Sequence, residues 1–244
     1  MSMLTMQEFF SQLEKSPLPI ITDNKKTRWY NVPASFDIET SSFYEGEKLP
    51  ENKRAIMYIW QFGINDLVTY GRTWEEFKIF LDVLSYSLNL SSELRLCIYV
   101  HNLPYEWQFI RKHFKWDKVF ILDDRKPVKA RFGGLEFRCS LKLSGGKSLE
   151  KVGKDLVNHK VEKKVGQLDY NLIRTPLTPL SDLEMEYCEY DIRVVNAYIA
   201  EKIQQDGSIA RIPLTNTGYV REYCRKACFR AMEEVQGIYE RINS

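Results

Sequence analysis

No stretch of this 244-residue chain is long and uncharged enough to cross a bilayer. The longest run without a charged residue spans 55–65, far below the roughly 18 to 20 apolar residues of a spanning helix, so no membrane partner is expected. Residues 1–15 carry Glu8 and Glu14 and lack the basic-then-apolar order of a secretory leader, so a cytoplasmic protein is expected. Cysteine is scarce and unpatterned. Cys97, Cys139, Cys188, Cys224 and Cys228 are odd in number and form no CxxC pair, which argues against a disulfide frame or a zinc ribbon and for reduced thiols. Charge imbalance is lacking as well, with 35 basic against 33 acidic residues and a formal net charge of +2. That balance excludes a histone-like polycation and an acidic disordered tail, so any nucleic-acid surface must be a local patch. No internal repeat is visible. What is present suffices for a core: 44% hydrophobic and 13% aromatic residues, in a length that suits one large domain or one domain with an appendage.

The hydrophobic patterning predicts an α/β chain. Leu4, Phe9, Phe10 and Leu13 share one face of a short helix, and Pro17, Pro19 and the polar run 23–26 then break the pattern. Strands are predicted over 32–38, 56–64 and 67–71, the last two joined by a hairpin at Asn65-Asp66. Thr73 caps a helix whose first turn holds Glu75 and Glu76. Residues 94–100 are nearly all apolar, as in a strand buried on both faces, and a helix over 104–114 follows. Two or three short strands are expected over 116–143, then a short helix over 149–156. Ser181 with Glu184 forms a capping box opening a helix to about 205, and a last helix covers 217–242. The expected organisation is an N-terminal appendage over 1–30, a catalytic domain over 31–206 and a C-terminal helical extension over 207–244.

Three short motifs carry the chemistry. Asp37 and Glu39 are two apart at the end of a predicted strand, so both side chains point to one face; taken alone, such a pair also suits a solvated loop edge. Asn102 and Glu106 follow the buried strand at the edge where open α/β sheets bind ligands, although an N-capping Asn and a first-turn Glu also simply stabilise a helix. Tyr187 and Asp191 are four apart on one helix face, where an Asp is also explained by pairing with Arg193 or Arg221.

In this order, DxE, then Nx2YE, then Yx3D, the motifs resemble the 3′–5′ exonuclease domain of family B DNA polymerases, most closely the protein-primed polymerases of small phages and linear plasmids. The resemblance covers roughly residues 32–201. It implies a ribonuclease H-like exonuclease fold, a mixed central sheet flanked by helices, with an N-terminal helix and a C-terminal helical extension beyond it. It implies a metal-dependent 3′–5′ exonuclease acting on single-stranded DNA 3′ ends as the proofreading part of such a polymerase. Asp37, Glu39, Glu106 and Asp191 match the metal ligands, Tyr187 the catalytic tyrosine, and Lys164, with Lys163 one residue away, the assisting lysine. Thr40, Asn102, Tyr105, Phe109, Ser140, Leu141 and Tyr170 match contacts to single-stranded DNA, Phe109 lying where the family has an aromatic near the primer or terminal protein. Glu106 departs from the family's usual Asp. A histidine-type member would need His where Glu186 stands, so the pattern is the tyrosine type.

Electrostatics supports the ligand set. Four carboxylates gathered in one cleft repel unless counter-charge is supplied, and oxygen-only ligands suit two Mg2+ or Mn2+ ions better than zinc. Residues 125–164 hold 12 Lys or Arg against 4 Asp or Glu, a local surplus fit to track phosphates, and Tyr105, Phe109 and Tyr170 are suited to stack on bases. Ser144 to Ser148 imitates a phosphate-binding loop but lacks its first glycine, since Leu141 stands there. Cys224 and Cys228 lack a following histidine for a metal site. No polymerase palm motif is found, so polymerisation by this chain alone is not expected; a polymerase domain or terminal protein is the implied partner. The competing readings are an exoribonuclease of the same superfamily and a catalytically weakened DNA- or protein-binding module.

Overall fold

The computed structural model of the protein describes residues 3–123, 125–161, 168, 169 and 171–242, with the side chains of 123 and 237–242 left aside. The helices are α1 (Met6–Glu14), α2 (Trp74–Ser87), α3 (Leu103–Ile110), α4 (Ser140–Leu143), α5 (Leu149–Asp155), α6 (Asp182–Asp206) and α7 (Asn216–Ile242). The strands are β1 (Ile20–Thr22), β2 (Arg28–Tyr30), β3 (Ala34–Tyr44), β4 (Lys53–Ile64), β5 (Leu67–Gly71), β6 (Leu94–Val100), β7 (Lys118–Asp123), β8 (Lys126–Phe132) and β9 (Leu135–Cys139). They form one nine-stranded mixed sheet whose main path runs β5-β4-β3-β6-β9-β8-β7. The central β3, β6 and β9 run parallel and their outer neighbours antiparallel. The β1-β2 hairpin docks on the start of β6, pairing Arg28 with Leu94 and Trp29 with Arg95. Among the described residues no helix is long and apolar enough to cross a membrane.

Alternation along the strands separates two faces. Ala34, Phe36 and Ile38 of β3, Trp60, Phe62 and Ile64 of β4, and Leu96, Ile98 and Val100 of β6 join α1, α2 and α3 in the main core. Phe77, Phe80, Leu81 and Leu84 of α2 are buried there together with Phe9 and Leu13 of α1. The expected appendage is thus packed into the main core over α1, and Leu4 bridges to Thr69. The second face carries α6, with Cys97 and Tyr99 against Val195, Ile199, Ile209 and Ile212.

Capping boxes at Thr5 with Glu8, Thr73 with Glu76 and Ser181 with Glu184 fix the starts of α1, α2 and α6. Three differences from the sequence expectation have local causes. The polar break after Pro19 hides the β1-β2 hairpin: Asp23 accepts N–H bonds from Lys25 and Thr27, at 2.8 and 2.9 Å, and so forms the turn itself. β3 runs on to Tyr44, past a bulge between Glu39 and Thr40. α3 ends at Ile110, before the expected 114.

Candidate active site

The site begins with how closely α6 can approach the sheet. A Cβ at Gly63 of β4 would lie 2.5 Å from Ile192 Cγ2 and 2.9 Å from Asn196 Nδ2, so only glycine lets the helix settle there. The Ser35 hydroxyl donates to the Ile192 carbonyl at 3.3 Å. This contact brings Asp191, next in sequence to Ile192, over Asp37 and Glu39. Ligand oxygens of Asp37, Glu39 and Asp191 lie within 4.8 Å of one another. The bulge opposite Glu39 leaves Tyr58 as an extra residue of β4, the kind of irregularity that re-aims side chains beside a site. Tyr187, one turn before Asp191, packs with Tyr58, Ile59 and Cys188.

Burial and mutual repulsion set the electrostatics. The Asp37 carboxyl is held well above the usual carboxylate range, first by burial and then by Asp191. Glu39 is raised by burial, then by Asp37 and Asp191, with Arg174 opposing. Glu106, in the first turn of α3, is buried; burial and then Asp37 raise it, and its Oε2 has no hydrogen-bond partner among the described residues. Its side chain shares a hydrogen bond with Asp37, which places it beside the group of three. The nearby Cys188 thiol is pushed well up by burial and then by Glu39, Asp37 and Asp191. An oxygen-only, crowded and largely buried carboxylate set fits a hard divalent cation such as Mg2+ or Mn2+, and the charge of such an ion would relieve the repulsion.

Beside the carboxylates lies an aromatic rim. Tyr105 is 38% exposed, shares a hydrogen bond with the Thr40 hydroxyl, and stands with its ring centroid 5.5 Å from that of Phe109. Burial raises the Tyr105 pKa, and Glu106, Glu39 and Asp37 act on it in the same direction, so this rim borders the acidic group. Asn102 occupies the N-cap position of α3 in a left-handed conformation, φ 83° and ψ 50°, and makes no side-chain cap bond; the simple helix-capping role therefore does not describe it. Ser140 and Leu141 are placed differently. Ser140 is fully buried, its hydroxyl 3.1 Å from His101 Nδ1, and Leu141 packs on the main core. Lys163, Lys164 and Tyr170 lie outside the described residues.

The pairing of Asp191 with Arg193 considered from sequence is not what forms, since Arg193 gives its Nε and Nη2 to Glu189 at 2.9 and 2.6 Å. Sequence reasoning missed Arg174. Its buried guanidinium donates to Glu184 Oε1 at 2.5 Å and, through Nη1, to the carbonyls of Asp169 and Leu172 at 2.8 and 3.1 Å. Its own N–H reaches the Ser41 hydroxyl at 2.8 Å. The available signal was a single charged residue in the otherwise uncharged run 171–181.

The architecture is a ribonuclease H-like α/β fold, a mixed sheet flanked by helices with an acidic group where β3 meets α6. No family model matches the sequence, and no curated protein matches it. Among solved structures the chain is similar to phi29 DNA polymerase in complex with primer-template DNA and incoming nucleotide, with TM-score 0.55 and 18% identity over 72% of this chain and 31% of that one. It is similarly close to the orthorhombic crystal form of that polymerase, with TM-score 0.54 and 15% identity over 76% and 32%, and to its complex with single-stranded DNA, with TM-score 0.52 and 16% identity. The chain spans about a third of the length of the polymerases it matches, and at this identity the likeness is one of fold.

Proposed function

We propose that the protein is a divalent-metal-dependent 3′–5′ exonuclease that removes nucleotides from single-stranded DNA ends, the proofreading part of a protein-primed family B DNA polymerase. The observation that carries this reading is the meeting of Asp37, Glu39 and Asp191, contributed by a strand and a helix, within 4.8 Å. Phosphodiester hydrolysis needs a water positioned in line with the scissile bond and stabilisation of the departing oxygen. Divalent cations at such a carboxylate group supply Lewis-acid charge for both.

The chain's own residues supply the remainder. Asp37, Glu39 and Asp191 hold the charge in place, with Glu106 beside them as the fourth ligand. Tyr187 orients the attacking water or the scissile phosphate through its hydroxyl. The water oxygen bonds to phosphorus as the P–O3′ bond breaks, one water proton passes to solvent, and the departing 3′ oxygen takes a proton from solvent to become the hydroxyl of the shortened strand. Tyr105 and Phe109 stack on unpaired terminal bases, Thr40 orients Tyr105, and Asn102 holds the strand. Lys164, or Lys163 beside it, is assigned the assisting cation, and Tyr170 a further stacking contact. The inward-facing Ser140 and Leu141 contribute by shaping the end of β9.

The test is digestion of a 5′-labelled single-stranded DNA in Mg2+, in Mn2+ and in EDTA, with a matched RNA alongside. Stepwise shortening from the 3′ end that needs a metal and prefers DNA supports the reading. Equal or faster shortening of RNA would assign an exoribonuclease, and no digestion in either metal would leave a binding module.

A further inference from the structure

The face of the sheet that carries the acidic group also carries, further along, a strip of opposite charge that the catalytic reading does not use. Its members alternate outward on consecutive strands: Arg95 on β6, Glu136 and Arg138 on β9, Lys129 and Arg131 on β8, Lys118 on β7. The inner part is a closed structural network. Arg138 pairs with Glu136 at 2.7 Å, and Arg95 and Arg138 flank the Trp29 ring at 5.4 and 5.3 Å.

The outer part is not closed. Lys118 stands directly opposite Arg131, and Lys129 directly opposite Arg138, although like charges in cross-strand register destabilise a sheet. Arg95 and Lys129 each reach Glu136 only at 4.0 Å. Asp23 is another carboxylate acting on Arg95, so among the described residues the strip sets five cations against two carboxylates. Arg131 Nε is buried and has no hydrogen-bond partner among the described residues. Lys118 is exposed, and Phe120, opposite Lys129, is 40% exposed.

We propose that this strip, with Lys118, Lys129 and Arg131 as its accessible cations, is a second nucleic-acid surface that binds backbone phosphates of the strand upstream of the 3′ end. The inference rests on the exonuclease reading for the identity of the polyanion. Charge complementarity selects the occupant, since a run of phosphates satisfies several unspent cations at once while leaving the Glu136–Arg138 pair intact. β8 and β7 lie three and four strands from β3, roughly 14 to 19 Å at about 4.8 Å per strand. At the stacked rise of about 3.4 Å per nucleotide the longer distance is roughly six nucleotides, so a stacked trinucleotide in the cleft falls short of β7 whereas a 20-mer reaches both.

The experiment compares the full chain with Lys118→Ala/Arg131→Ala, checked for equal melting temperature, and with the exposed single variant Lys118→Glu in case the double variant is unstable. Binding of a single-stranded 20-mer in EDTA is measured against salt, and digestion of a trinucleotide in Mn2+ is measured separately. The double variant is expected to bind the 20-mer more weakly, with the slope of log K against log salt smaller by about 1.4 for two lost phosphate contacts, while trinucleotide digestion is unchanged. Unchanged affinity and slope for the 20-mer would overturn the proposal, as would equal losses on both substrates, which would place these residues at the cleft. Binding of poly-glutamate in preference to the 20-mer would overturn it in favour of an acidic protein partner. If the wild-type chain digests nothing but the 20-mer result holds, the surface stands and the exonuclease reading fails.

Discussion

The two faces of the sheet are built from alternate residues of the same strands, yet one is held together by burial and the other tolerates repulsion. On β3, Ala34, Phe36 and Ile38 enter an aromatic core in which Phe36 stacks on Phe77 at 4.5 Å and packs edge-on to Phe137 at 6.2 Å. Between them, Ser35, Asp37 and Glu39 turn toward α6, where like-charged carboxylates crowd together. The pleat lets a single strand supply stability to one side and chemistry to the other. The apolar face makes the charged face possible, because a site that destabilises the metal-free fold persists only on a scaffold with stability to spare.

The largest expected effect lies on the charged face. Asp37→Ala or Asp191→Ala should reduce digestion of single-stranded DNA to background while raising the melting temperature of the metal-free protein, since each removes a repelling carboxylate. Retention of wild-type rates by both variants would dissolve the functional half of the contrast. On the apolar face, Phe36→Ala should lower unfolding free energy by about 3 to 5 kcal/mol through lost burial and a residual cavity, read from urea denaturation. Arg174→Gln joins the two regimes. Breaking its buried pair with Glu184 should cost about 3 kcal/mol, and Arg174→Met/Glu184→Gln, which keeps the hydrogen bonds of Ser181 to residue 184, should recover part of that; equal losses in the single and double variants would show that Arg174 acts through its carbonyl contacts instead. The smallest effect belongs to the rim: Tyr105→Ala should weaken single-stranded DNA binding by about 1 to 3 kcal/mol with little change in salt slope.

Much of this contrast was legible before any coordinates. The apolar run of β6 and the strand reading at 56–64 located the core strands, and Thr73 and Ser181 located two helix starts through their own side chains. The three carboxylates that meet were named by the resemblance of the ordered motifs, since the spacing of Asp37 and Glu39 and the placement of Asp191 on a helix each also suited a simpler role. Other features were not local and left no pattern to read. The β1-β2 hairpin is short, and β2 gains its place only by pairing with β6, 66 residues away in the Arg28 to Leu94 register. Arg174 matters because its guanidinium reaches Glu184 and two carbonyls, none of which the sequence marks as its partners. The inward turn of Ser140 follows from the position of His101 on a neighbouring strand end, which no motif encodes.

The acidic group also fixes how stability depends on pH. Asp37, Glu39 and Glu106 are raised above their ordinary values, so the metal-free folded state binds protons that the unfolded chain has released. Their contribution is therefore full below about pH 4 and is lost as pH rises through the raised values. His101, depressed to about 4 by burial, acts oppositely between roughly pH 6.5 and 4, but it is common to wild type and to carboxylate variants and cancels in their difference. The wild-type chain without metal should accordingly lose stability from pH 5 to pH 8 more steeply than Asp37→Asn.

The most direct measurement is thermal unfolding of wild type, Asp37→Asn and Asp191→Asn at pH 7.5 with and without Mn2+. An ion bound by the folded state at a hundred times its Kd adds about 2.7 kcal/mol. The expected result is a clear rise in the wild-type melting temperature with Mn2+ and a much smaller rise in either variant. No rise in the wild type, or the same rise in all three proteins, would contradict the assignment of these carboxylates as the metal site.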